Sequence, residues 1–231
     1  MSRTAETDAR PLPTGAVLVA GAGPGVSGHL ARLLAAEGHD LALLGIDPRE
    51  LEQLAADGRD AGVRVETAQV DLTDDDAVRS TVAELGLRLG RFALVHFNPS
   101  AFREEDPLTL TPAALAEDVA LGVGALLSVV QAARPFLAVD ARVSVTGSMA
   151  ADQPWNKAAS LGVQKAAVRN LVHSLDTTLE PHGVRAVSVT VRGTLSTDPD
   201  SPFSHAAVAR ALRAALDQPA DAWRSEVPYE G

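Results

Sequence analysis

The chain has 231 residues, 46% of them apolar, and a formal net charge of −10. That charge opposes phosphate backbones and anionic membrane surfaces, so neither a nucleic acid nor a membrane is an expected partner. The absence of cysteine excludes disulfides, thiolate catalysis and cysteine-ligated metals, and no metal site is expected.

The opening "MSRTAETDARPLP" lacks an apolar signal-like core and reads as a flexible tail over residues 1–13. A first strand, "AVLVA" (16–20), runs through a glycine-rich loop into a helix at 26–37, which Gly38 stops. "DLALLG" (40–45) is the second strand, and Pro48 begins a helix over 48–60. "VRVETAQV" (63–70) follows, then Thr73 as the predicted N-cap of an acidic-headed helix at 74–89. "FALVHF" (92–97) is the fourth strand. The helix predicted at 112–137 holds the longest apolar run, "VALGVGALLSVV", which is too short to span a bilayer. "RVSVT" (142–146), a helix at 158–180 closed by Pro181 and Gly183, "VRAVSVTV" (184–191), a helix at 204–217 and "SEVPY" (225–229) complete the series. Strand–helix alternation with nearly all-apolar strands predicts an α/β fold. It is a Rossmann-like doubly wound parallel sheet of about seven strands flanked by helices on both faces. One domain over 14–231 is expected, in a soluble, cytoplasmic protein.

The loop after the first strand carries Gly21, Gly23, Gly25 and Gly28. Such a loop lets backbone N–H groups and a helix N-terminus approach a pyrophosphate. Gly23, Gly25 and Gly28 spell G-x-G-x-x-G. Gly21 and Gly25 instead fit T-G-x-x-x-G-x-G, with Ala20 for the Thr and Ser27 for the last Gly. The second register is preferred because its first Gly directly follows the strand. The Ser27 hydroxyl is then a candidate phosphate contact.

Lysine is scarce: eighteen arginines stand against Lys157 and Lys165 alone. Lys165 lies seventeen residues after Ser148, inside an otherwise apolar helical stretch, "SLGVQKAAVRNLVHSL" (160–175). "VDLT" (70–73) follows the third strand, "NPS" (98–100) the fourth and "RGTLST" (192–197) the sixth.

This order and spacing resembles the short-chain dehydrogenase/reductase family from about residue 14 to the end. The resemblance implies that Asp71 meets an adenine, that Asn98 supports the cofactor cleft, that Gly193 lies beside a nicotinamide and that Thr197 holds its carboxamide. It also implies an Asn-Ser-Tyr-Lys active site. Ser148 and Lys165 match the Ser and the Lys. Leu161 stands where Y-x-x-x-K requires the Tyr, and no Asn occurs between 99 and 155. Tyr229, the sole tyrosine, falls in the last strand. The family Tyr gives or takes the hydroxyl proton, aided by a nearby ammonium; leucine has no proton to offer. Asp152 and His96 are candidate replacement donors. Trp155, Asn156, Leu161 and Ser148 are expected to line the substrate cleft.

The implied cofactor is NAD or NADP. Asp47 is a candidate for an adenosine ribose and Arg49 for a 2′-phosphate, and neither decides between the two nucleotides. Without a clear determinant, weak or lost binding is a consistent outcome. The expected activity is an atypical NAD(P)-dependent oxidoreductase acting on a small molecule. The alternatives are a non-redox dehydratase, isomerase or cyclase in the same cleft, or a non-catalytic partner subunit. The family also implies a homodimer or homotetramer through the helices at 112–137 and 158–180. "TDPDSPFSH" (197–205) corresponds to its substrate lid.

Overall fold

The computed structural model describes residues 11–231. Most of the expected tail therefore lies outside the described residues. Of its last three residues, Leu12 already packs against the core.

Seven parallel strands form one sheet in the order β3-β2-β1-β4-β5-β6-β7. They are β1 (Ala16–Ala20), β2 (Leu41–Gly45), β3 (Val65–Gln69), β4 (Phe92–Phe97), β5 (Leu137–Ser148), β6 (Arg185–Val191) and β7 (Glu226–Tyr229). β1, β2 and β4 are buried at every residue, as strands covered on both faces must be. β3 is an edge strand and buries none of its residues fully.

Helices α1 (Val26–Ala36), α2 (Pro48–Asp60) and α7 (His205–Ala215) cover one face, where Leu30, Leu51 and Leu212 pack on Val17, Leu43 and Val189. Helices α3 (Asp75–Leu89), α5 (Ala125–Ala133) and α6 (Ala159–Leu179) cover the other, where Val82, Leu126 and Val172 pack on Leu18, Val95 and Val143. Chain order reverses direction in the sheet between β1 and β4, which opens a crevice at their carboxyl ends.

Local chemistry sets the helix starts. Asp47, followed by Pro48, accepts from the Arg49 N–H at 2.8 Å. Asp74, not Thr73, caps α3 by accepting from the Ala77 N–H at 3.0 Å. The Thr73 hydroxyl donates instead to Asp71. The continuous helix expected at 112–137 is three pieces: α4 (Pro112–Val119), a π-helical turn at Ala120–Gly124, and α5. A 3₁₀ turn at Arg134–Phe136 then leads straight into β5, five residues earlier than the sequence pattern shows. The composite segment Pro112–Phe136 is 25 residues, long and apolar enough by length and composition to cross a membrane. This corrects the judgement based on its shorter central run. Here its Leu126, Val129, Val130 and Ala133 are buried in the protein core.

Candidate functional site

The carboxyl ends of β1, β4, β5 and β6 converge on two neighbouring cavities that share Ser100 as a wall. The inner one, about 330 Å³, is lined by Gly25, Asn98, Ser148, Leu161, Lys165 and Gly193, among others. The outer one, about 460 Å³, is lined by Gly21, Gly45 and Asp71 among others.

Close backbone packing explains the glycine loop. Gly21 has φ +79°, and a Cβ there would lie 2.7 Å from Pro99 Cγ. A Cβ on Gly28 would lie 2.3 Å from the Gly23 carbonyl oxygen, so Gly28 lets α1 sit against the loop. The two registers thus serve different contacts on one loop. Ser27 corrects its expected role: it is buried, and its hydroxyl donates to the Gly21 carbonyl at 2.9 Å, holding the loop rather than facing a ligand.

In the inner cavity, β5 presents Thr146 and Ser148 on one face, two residues apart. Thr146 Oγ1 donates to Asn98 Oδ1 at 2.8 Å, which ties β4 to β5 at the cleft floor. The Ser148 oxygen accepts from the Ala150 N–H at 3.2 Å. Leu161 and Lys165 are one helical turn apart on α6 and both face the cavity. Lys165 is buried, and its Nζ donates to the Thr146 carbonyl at 3.0 Å. No described carboxylate forms an ion pair with it. Burial without a compensating charge lowers its pKa from the usual lysine value to about 8.

Several expected contributors lie elsewhere. His96 is completely buried within β4, with Nδ1 2.8 Å from Ser144 Oγ, and burial pushes its pKa down to about 3. It lines neither cavity, so it is no proton donor to them. Asp152 also lies outside. Hydrogen bonding from Arg169, with Arg192 3.6 Å away, holds its carboxyl below the ordinary carboxylate range. It is ionised at neutral pH and has no proton to give.

Trp155 stacks on Phe102 with ring centroids 6.3 Å apart, and it is Phe102 that lines the inner cavity. Trp155 and Asn156 line a separate groove with Pro107, Leu115 and Val163, so they stand behind the cleft rather than in it. Thr197 is exposed and absent from both walls, because the backbone turns there to pair Ser196 with Phe203. Asp47 and Arg49 bond to each other and line a third groove with Pro24 and Gln53. Asp71 does line the outer cavity, where hydrogen bonds from the Thr73 hydroxyl and N–H lower its pKa.

The sequence reading missed His205. It occupies the first position of α7 and lines the inner cavity at the Gly25 end, its Cε1 3.8 Å from where a Gly25 Cβ would be. The available signal was its place directly after Ser204, which caps α7 through the Ala207 N–H. Among the described residues, Lys165 and His205 are the only ordinarily titratable side chains lining the inner cavity.

The family model "short chain dehydrogenase" matches residues 15–206. Sulfoacetaldehyde reductase 2 of Chromohalobacter salexigens is 30% identical over 191 residues, covering 75% of this chain and 70% of that protein. Polyketide synthase GfsA of Streptomyces halstedii is 39% identical over 88 residues, 36% of this chain and 1% of that much longer protein. A short chain dehydrogenase from Burkholderia cenocepacia J2315, solved in complex with NADP, superposes with a TM-score of 0.85 at 23% identity. That alignment covers 96% of this chain and 98% of the other and establishes the shared fold.

Proposed function

Since the chain belongs to the short-chain dehydrogenase family, we propose that it is an NAD(P)-dependent oxidoreductase of a small carbonyl or alcohol, working without the family's tyrosine. The observation that carries this reading is the continuity of the glycine loop with a cavity in which Asn98, Ser148 and Lys165 meet.

The cradle fits a dinucleotide. Gly21 and Gly28 keep the loop free of side chains that would collide with its own backbone, and the N-terminus of α1 points into the crevice without a side-chain cap. Gly25 and the α1 N-terminus would hold the pyrophosphate. Gly45 and Asp71 would face the adenosine end, and Asn98, Lys165 and Gly193 the nicotinamide end. The bound nucleotide supplies or accepts a hydride. Ser148 donates a hydrogen bond to a substrate oxygen and orients it. Leu161 excludes water at the place where the phenol would act and provides no proton.

Native mass spectrometry of the purified protein, alone and with NADH or NADPH, tests the reading. The expected result is a mass increase of one nucleotide per chain, weakened in Lys165→Met. No binding at millimolar nucleotide overturns it. The same spectra test a homodimer or homotetramer, which we propose forms through the faces bearing exposed Leu127 on α5 and Val163 on α6.

A further inference from the structure

We propose that Lys165 is an imine-forming amine: its Nζ captures the carbonyl carbon of a small aldehyde or ketone entering the inner cavity. This activity requires no nucleotide and stands independently of the oxidoreductase reading.

Three features of the cleft support it. Leu161, one turn before Lys165, leaves no hydroxyl between the amine and an entering carbonyl. Among the described residues no carboxylate lines the inner cavity, so no opposite charge there favours the ammonium over the amine. Among the described residues Nζ makes one hydrogen bond, to the Thr146 carbonyl, which uses a single N–H and leaves the lone pair of the neutral amine free. The desolvated position also favours the neutral amine that nucleophilic attack requires. Ser148, on the same wall, can donate to the carbonyl oxygen as charge develops on it.

The step balances simply. The Nζ lone pair bonds to the carbonyl carbon and the C=O π pair moves to oxygen, which takes a proton to give a carbinolamine. That proton is in net one of the two on Nζ; the second follows it to the oxygen, which leaves as water, and the nitrogen lone pair closes the C=N bond. No oxidant or reductant is consumed. His205 stands on the same wall at the Gly25 end.

Two lysines make the test unambiguous. The protein is incubated at pH 7.5 with butanal and sodium cyanoborohydride, which reduces any imine to a stable secondary amine, and the adducts are mapped by peptide mass spectrometry. Neutral amine is roughly 10²-fold more abundant at Lys165 than at an ordinary lysine at this pH. Even with restricted access, Lys165 should therefore label about tenfold or more faster than exposed Lys157. In 8 M urea the two should label equally. Leu161→Phe, which fills cavity space one turn before the amine, should slow Lys165 alone. Labelling of Lys157 and the N-terminus with Lys165 spared overturns the inference, as does a preference for Lys165 that persists in urea. A parallel sample with 1 mM NADPH separates the two readings. Protection of Lys165 reports nucleotide occupancy. Undiminished labelling leaves the imine inference standing and counts against the nucleotide.

Discussion

Gly122, in the π-helical turn, faces Gln164 on α6 so closely that a Cβ at 122 would lie 2.3 Å from Gln164 Oε1. The carboxamide cannot swing aside. Its Oε1 accepts from the Ala101 N–H at 2.9 Å, and its Nε2 donates to the carbonyls of Ala101 at 3.1 Å and Ser160 at 3.2 Å. The loop after β4 is thereby clamped to α6 by a side chain of α6, against the π-helical turn at Ala120–Gly124.

Gly122→Ala should therefore destabilise the fold by about 1–3 kcal/mol through overpacking. Urea denaturation would show a lower midpoint with an unchanged slope. Adding Gln164→Ala should recover part of the loss at Gly122 while introducing a loss of its own. Strict additivity of the two substitutions would show that the residues are not coupled.

Installing the missing phenol should restore the missing proton donor. Leu161→Tyr places a hydroxyl one turn before Lys165, in the same cavity. NADPH-dependent reduction of diacetyl should rise by roughly 10²–10⁴-fold over the parent chain. Leu161→Phe, of similar bulk and no acidity, should give no rise. An equal response to Tyr and Phe would assign the effect to packing.

Gly21→Ala should damage both the loop and its ligand site. The residue would have to hold φ +79° with its Cβ 2.7 Å from Pro99 Cγ. A stability loss of about 1–3 kcal/mol is expected from strain and crowding together. NADPH affinity, followed by nicotinamide fluorescence, should fall more than about tenfold, because Pro99 and the loop must move apart. Wild-type affinity in a chain of reduced stability would place the nucleotide elsewhere.

His96 makes the fold sensitive to mild acid. Its folded pKa, about 3, lies below the unfolded value of about 6.5. The unfolded chain therefore takes up a proton first. The stability associated with neutral His96 is complete above pH 6.5 and is lost progressively as pH falls toward 3. The slope approaches about 1.4 kcal/mol per pH unit for this one proton. Between pH 6 and 4.5, above most carboxylate titration, His96→Leu should flatten the dependence of unfolding free energy on pH. An identical slope in the variant would show that His96 already titrates normally in the fold.

The sheet was legible because its inner strands are apolar at every position and its helices carry their own punctuation, such as Pro48 and Gly183. The π turn was not. Ala120–Gly124 is as apolar as the helix around it, and its widened hydrogen bonding answers to tertiary packing against Gln164. The site was half legible for a similar reason. Ser148, Leu161 and Lys165 are fixed by spacing along β5 and α6, and the structure brings them to one cavity. Asp152, Trp155 and Asn156 sit on the irregular connection between those elements. There, direction depends on Arg169 and Phe102, partners distant in sequence. His96 looked available only because a sequence does not show that the end of β4 is covered on both faces.

The sole tyrosine holds the far side of the cleft. Tyr229 donates its hydroxyl proton to the Pro202 carbonyl at 2.6 Å, and its ring meets Phe203 edge-on at 5.8 Å. Phe203 in turn abuts Gly193 so tightly that a Cβ there would lie 2.3 Å away. The last strand thus rivets the stretch between β6 and α7 in place from outside. Phe102, 59% exposed, and Leu195, 46% exposed, line the same inner cavity. Truncating the chain before Tyr229 would remove both the hydroxyl that holds Pro202 and the ring that backs Phe203, and so would unfasten Gly193 at the cleft.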